Sequence, residues 1–225
     1  MGKRVHESLE FLYNEVLAGR IPILDSILDK YDALWVENWH DRIAIVKREI
    51  PIKQTRLVGE ACLARYYRNY YPFDTPVIHN ELDMKFSLDT DGIYNIRGII
   101  DRVDQYENGQ YEIHDYKTSS RAMSQSAANK NRQLALYQIG LTKLFPNVQE
   151  VKLVWHFLRQ GIRREVVKNE ADLDNLFDKI KALIDTIRKK ENSGGQFPAK
   201  ESILCNWCYY WEECPAKNGS NPYVG

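Results

Sequence analysis

Two carboxylates and a lysine concentrate the chemistry of this chain. Asp101 stands in Gly98-Ile99-Ile100-Asp101-Arg102-Val103-Asp104, and Asp115 and Lys117 stand in Ile113-His114-Asp115-Tyr116-Lys117-Thr118. In a strand, residues two apart share a face, so Asp115 and Lys117 project together while Tyr116 points the other way. Asp101 lies near the end of the preceding segment and could come alongside Asp115. Two carboxylates side by side repel unless a cation lies between them. Oxygen ligands favour Mg²⁺ or Mn²⁺, which polarise a phosphoryl group and make bound water a better nucleophile. A lysine beside them could stabilise charge on phosphorus or help deprotonate that water. A D-x-K triplet alone is a weak signal. It gains weight from Asp101 at hairpin distance and from the apolar Ile99, Ile100, Val103 and Ile113 around both acids.

A second cluster lies near the C-terminus, where Cys205-Asn206-Trp207-Cys208 runs on to Cys214-Pro215 as C-x2-C-x5-C-P. Three thiolates at this spacing, flanked by aromatics, could hold a tetrahedral zinc or one face of an iron–sulfur cluster. Cys62, the remaining cysteine, falls on the apolar side of an expected helix, where a buried free thiol is the ordinary reading.

These residues need a scaffold, and the hydrophobic periodicity supplies one. Val5, Leu9, Leu12, Val16 and Leu17 repeat at helical spacing before Pro22, a second helix is expected over about 25–39, and Leu57, Ala61, Cys62, Arg65 and Tyr66 mark a third ending at Tyr71-Pro72. The period then changes to two. Leu82, Met84, Phe86 and Leu88 alternate with polar residues, and strands over about 94–103 and 111–117 follow across turns at 89–92 and 107–109, giving an antiparallel meander. A helix over about 132–144, strands at 151–158 and 162–167, and a long amphipathic helix with Leu173, Leu176, Phe177, Ile180, Leu183 and Ile187 complete the pattern. The expected fold class is α/β, with a central sheet covered by helices, a helical N-terminal part and a small cysteine-bearing appendage. Residues 1–192 form the main domain and 193–225 the linker and tail.

Composition narrows the function. With 31 Lys and Arg against 31 Asp and Glu, the net charge is zero, so binding by bulk positive charge is not expected and any nucleic-acid contact must be local. Lys130, Arg132, Lys143, Arg159, Arg163 and Arg164 are candidate phosphate contacts, and Tyr66, Tyr67, Tyr70 and Tyr71 candidate stacking faces. No apolar run approaches the roughly 18–20 residues needed to span a bilayer, and the N-terminus lacks the apolar core of a signal peptide. A cytoplasmic protein with no membrane partner is expected.

The segment from Gly98 to Asp104 followed by Asp115-Tyr116-Lys117 resembles the core of PD-(D/E)xK nucleases, in particular the RecB/AddB-like branch that includes the iron–sulfur CRISPR-associated adaptation nucleases. Val5-His6-Glu7-Ser8-Leu9-Glu10 resembles that branch's first motif and Gln133-Leu134-Ala135-Leu136-Tyr137 its Q-x-x-x-Y helix. The resemblance runs from His6 to Cys214. It implies a restriction-endonuclease-like fold, with His6, Asp101, Asp115 and the Tyr116 carbonyl as metal ligands. Lys117 becomes the catalytic lysine, and Gln133 and Tyr137 position active-site groups or DNA phosphate. Glu81 stands where the family often has a glutamate; it is read as an outer contact of the metal site, with a solvated strand position equally open. The resemblance favours a [4Fe–4S] cluster over zinc on Cys205, Cys208 and Cys214. The family's upstream cysteine precedes the histidine motif, which leaves Cys62 as the fourth candidate here.

The expected function is therefore a Mg²⁺- or Mn²⁺-dependent DNA nuclease. It is read as an exonuclease on single strands or DNA ends in recombination, repair, phage or CRISPR-related processing, with a helicase or recombination protein as partner. The competing classes are a non-catalytic DNA-binding module of the same fold and a zinc-stabilised protein-interaction domain.

Overall fold

A computed structural model of the chain describes residues 1–40, 43 and 49–216. Three helices come first: α1 (Gly2–Leu17), α2 (Leu24–Glu37) and α3 (Ile52–Tyr70). Then come β1 (Val77–Ser87), β2 (Asn95–Gln105) and β3 (Gln110–Lys117), the short helix α4 (Gln125–Asn129), α5 (Gln133–Leu144), β4 (Glu150–Phe157), β5 (Ile162–Val167) and α6 (Glu170–Asn192). The strands make one sheet in the order β1-β2-β3-β4-β5. β3 and β4 run parallel, and every other pair is antiparallel. This is the expected α/β class with a mixed central sheet, helical covers and a helical N-terminal part.

The elements follow from residue pattern. Val5, Leu9 and Leu12 are each at most 1% exposed on α1, and Met84 and Phe86 are the buried alternate residues of β1. Asn108 and Gly109 take left-handed backbone at the β2–β3 turn, where Asn and Gly carry little steric cost. The five-residue α4, capped by the Ser124 hydroxyl on the Ala127 N–H, lies in a stretch read from sequence as a polar connection. It is too short to show a period. In α6 the first half packs through Leu173, Leu176, Phe177 and Ile180, whereas Leu183 and Ile187 are exposed.

Two apolar clusters use the sheet differently. One includes Ile100, Val103, Ile113, Trp155 and Phe157 of the sheet with Leu134 and Leu141 of α5 and Leu176 of α6. The other joins α1, α2 and α3 through Leu9, Tyr13, Ile27, Tyr31, Leu63 and Tyr66, and reaches the sheet at Tyr116 and Leu158. β3 thus lies between α1 and α5, the two helices that bear the remaining residues of the site.

Candidate active site

The register of β2 and β3 pairs Arg102 with His114, so one step further Asp101 faces Asp115. There the ladder gives way to a side chain: Asp101 Oδ2 accepts the Tyr116 N–H at 2.7 Å. On the same strand the Lys117 ammonium lies 2.8 Å from an oxygen of Asp115, the juxtaposition that strand alternation requires. Tyr116 points oppositely, with its ring 2% exposed and its hydroxyl in reach of Tyr66 and Arg102.

α1 brings His6 over this strand end. His6 Nε2 lies 2.7 Å from the Tyr116 carbonyl oxygen and Nδ1 3.4 Å from Asp101 Oδ1. Burial disfavours a charged imidazole there, but the hydrogen bond and charge of Asp101, with the Tyr116 carbonyl, win and raise its pKa. α5 closes the other side, with Gln133 Oε1 3.5 Å from Lys117 Nζ and Gln133 Nε2 3.4 Å from the Tyr137 hydroxyl. Gly98 makes room for that ring, because a Cβ there would lie 2.4 Å from Tyr137 Cε1.

Glu81 belongs to this cluster more closely than its sequence position indicated. Its neighbours Asn80 and Leu82 pair with Arg102 and Ile100, which sets Glu81 against Asp101 on the adjacent strand. Its φ of 50° inside a strand is an uncommon conformation for a side chain of this size, of the kind that collects at functional sites. Burial, followed by the charge of Asp101, pushes its carboxyl up to about 7. Asp115 is pushed up to about 6, by burial first and by Asp101, with Lys117 pulling in the opposite sense. Acids raised by burial and by the charge of a neighbouring carboxylate are what a divalent cation would relieve.

Among the described residues, one ligand atom each from His6, Glu81 and Asp101 lies within 4.8 Å of the others. One imidazole and two carboxylates at half-buried positions suit a hard divalent cation that keeps some water. Because its pKa is raised, the imidazole holds its proton more tightly than a free one, and cation binding there competes with that proton. The structure groups His6 and Asp101 with Glu81, while the Asp115 carboxylate is held by Lys117. A second acidic group, Asp104, Glu112 and His114, is buried beside β2 and β3. Its charges are already answered: Arg102 Nε lies 2.8 Å from Asp104, and Lys152 and Arg163 each lie 2.9 Å from Glu112. That group is an ion-pair network.

Other expected positions differ. Tyr66 is no stacking face, because it is 2% exposed with its hydroxyl against Tyr13, and Tyr70 is bonded to His156 Nδ1. Arg163 is occupied by Glu112 and Glu165, and Arg164 by the Met123 carbonyl. Cys62 is 1% exposed in the helical core, and burial raises its thiol pKa. Cys205, Cys208 and Cys214 are partly exposed, and among the described residues they do not converge as a ligand group. As placed, the four cysteines do not fit a cluster. The tail from residue 217 onward lies outside the described residues.

A family model described as the PD-(D/E)XK nuclease superfamily matches residues 1–215. No curated protein matches the chain. Among solved structures, a crystal structure of a candidate exonuclease from Eubacterium rectale is 14% identical, with a TM-score of 0.47, over 84% of this chain and 82% of that one. The crystal structure of SSO0001 is also 14% identical, with a TM-score of 0.38, over 83% of this chain and 81% of that one.

Proposed function

The chain belongs to the PD-(D/E)XK nuclease superfamily, and from that membership we propose that it is a Mg²⁺- or Mn²⁺-dependent deoxyribonuclease acting as an exonuclease. One observation carries the reading: His6, Glu81, Asp101, Asp115 and Lys117, drawn from four elements, meet at the end of β3. His6, Asp101 and Glu81 would hold the cation, with Asp115 and the Tyr116 carbonyl adjoining. When bound, it would polarise the scissile phosphate and acidify water. Lys117 then offers an ammonium to the charge that develops on phosphorus. Asp115 and Gln133 hold that ammonium in place, Tyr137 braces Gln133, and the Tyr116 N–H fixes the rotamer of Asp101.

The motifs around His6 and Gln133 support placement in the RecB/AddB-like branch. With that come DNA-end processing in recombination, repair, phage or CRISPR-related pathways, a helicase or recombination partner, and a cytoplasmic setting. Residues 1–192 are the nuclease domain in this reading. The resemblance supports a metal site on the C-x2-C-x5-C segment, [4Fe–4S] in preference to zinc, although the cysteines as placed do not converge. Iron, zinc and acid-labile sulfide analysis of anaerobically purified protein tests it, and metal-free protein would remove it.

Degradation of end-labelled single- and double-stranded DNA with Mn²⁺, Mg²⁺ or EDTA tests the activity. Metal-dependent loss of label is expected, and Lys117→Ala should lower the rate about 10²- to 10⁴-fold while the circular dichroism spectrum is kept. Cleavage retained by Lys117→Ala would overturn the assignment.

A further inference from the structure

Beside the catalytic cluster lies a cavity of about 960 Å³ between the start of α1, the end of α2 and the segment after β3. It is at the top of the roughly 300–1,000 Å³ range of small-molecule sites. The cavity adjoins the candidate active site by construction. Thr118 follows Lys117 directly, and Lys3 lies three residues before His6 on one helix face.

Its walls are of two kinds. On the α2 side, Tyr31, Trp35 and Trp39 form a ladder that leads from the core to solvent. Tyr31 is buried, the Trp35 ring centroid lies 6.0 Å from it, and Trp39 stacks on Trp35 at 6.0 Å with planes 19° apart. Trp39, at the open end, is 37% exposed. The lining also includes Lys3, Arg159 and the hydroxyl-bearing Thr118 and Ser119. Lys3 and Arg159 have no carboxylate partner among the described residues, and Arg159 Nε is buried without any hydrogen-bond acceptor. Arg159 is itself only partly buried, so the rest of its guanidinium is open to the cavity it lines. Among the described lining residues the one acid is Glu37, which lies between Trp35 and Trp39 in sequence.

We propose that this cavity is a binding site for single-stranded DNA, a base stacking on Trp39 while Lys3 and Arg159 take backbone phosphates, so that the strand passes to the site at Lys117. The inference rests on the nuclease reading above and specifies its substrate. An aromatic platform beside cations is the usual means of holding an unpaired strand, whose bases expose their faces; in a duplex those faces are covered.

The test is fluorescence anisotropy with labelled oligothymidylate in EDTA, where binding is read without cleavage. Trp39→Ala should weaken binding about ten- to a hundredfold, while Trp39→Phe, which keeps an aromatic face, should stay close to wild type. Arg159→Gln should lower the slope of log affinity against log salt by about 0.7, because one phosphate is no longer neutralised by the protein. An abasic strand should lose the Trp39 dependence, and duplex DNA should compete poorly. Equal affinity of wild type and Trp39→Ala, or duplex competing as well as single strand, would overturn the site. Tight Trp39-dependent binding by a protein that cleaves under no divalent metal would uphold this site and sink the nuclease reading. Cleavage with unchanged binding by Trp39→Ala would do the reverse.

Discussion

Glu81 shows how a single residue reports on the site. Its carboxyl is pushed up to about 7 by burial and by Asp101, so between the ordinary carboxylate range and pH 7 the folded protein holds a proton that the unfolded chain releases. That contribution to stability is complete at low pH and is lost as pH rises through about 7. Without divalent metal, Glu81→Gln should therefore be more stable than wild type at pH 8, and the gap should close below about pH 4.5, as read by urea midpoints. A gap independent of pH would remove the assignment. Mn²⁺ binding near pH 6 should release protons, visible calorimetrically in buffers of different ionisation enthalpy. Gly98 makes a second residue-scale case. Gly98→Ala forces the Tyr137 ring away from its place beside Gln133, and a displacement of that order should cost about ten- to a hundredfold in initial rate on labelled DNA at a temperature where both proteins are folded. The Asp101, Asp115 and Lys117 constellation was legible in the sequence, because alternation along one strand and pairing across one hairpin are local rules. Glu81 was only half legible, since its standing depends on the β1–β2 register and on a left-handed backbone conformation that residue type does not announce.

Between elements, the connection that matters most is Arg102. Adjacent to Asp101 on β2 and 2% exposed, it points away from the catalytic cluster into the helical side. There its guanidinium donates to the hydroxyls of Tyr13 on α1, Tyr66 on α3 and Tyr116 on β3, and pairs with Asp104. One buried cation thus ties the helix that carries His6 to the strands that carry Asp101 and Asp115. Arg102→Met should cost about 3–5 kcal/mol in urea unfolding, because Asp104 is left as an unanswered buried charge. Adding Asp104→Leu should restore much of it, and an additive double-mutant cycle would break the argument. This network was not visible in advance, since its tyrosines come from positions 13, 66 and 116 and read as ordinary helix and strand residues. The long helices and the meander were visible, because each has enough turns or alternations to declare a period.

At the scale of the whole molecule, every fully buried core residue described lies between Val5 and Leu176. A chain ending at Asn192 should accordingly keep one cooperative urea transition, and loss of that transition would place part of the core in the tail. Neutral overall charge argues against bulk electrostatics as the basis of binding, but it could not locate the cavity at Trp39, which tertiary packing creates from residues more than a hundred positions apart. Nor could pattern alone show that β4 joins β3 in parallel, because the period of a strand does not encode its partner's direction. That parallel pair also bears on the order in which the protein assembles. β1, β2 and β3 meet through short turns, whereas β4 reaches β3 only after the chain has passed through α4 and α5. Closing the longer connection costs more chain entropy, and pairings that are near in sequence form sooner. Pulse-labelled hydrogen exchange during refolding should find the amides of β2 and β3 protected before those of β4 and β5, and simultaneous protection would exclude that order. On that course Asp101, Asp115 and Lys117 are neighbours early, and Gln133 and His6 are the late arrivals that turn a hairpin bearing charges into a working site.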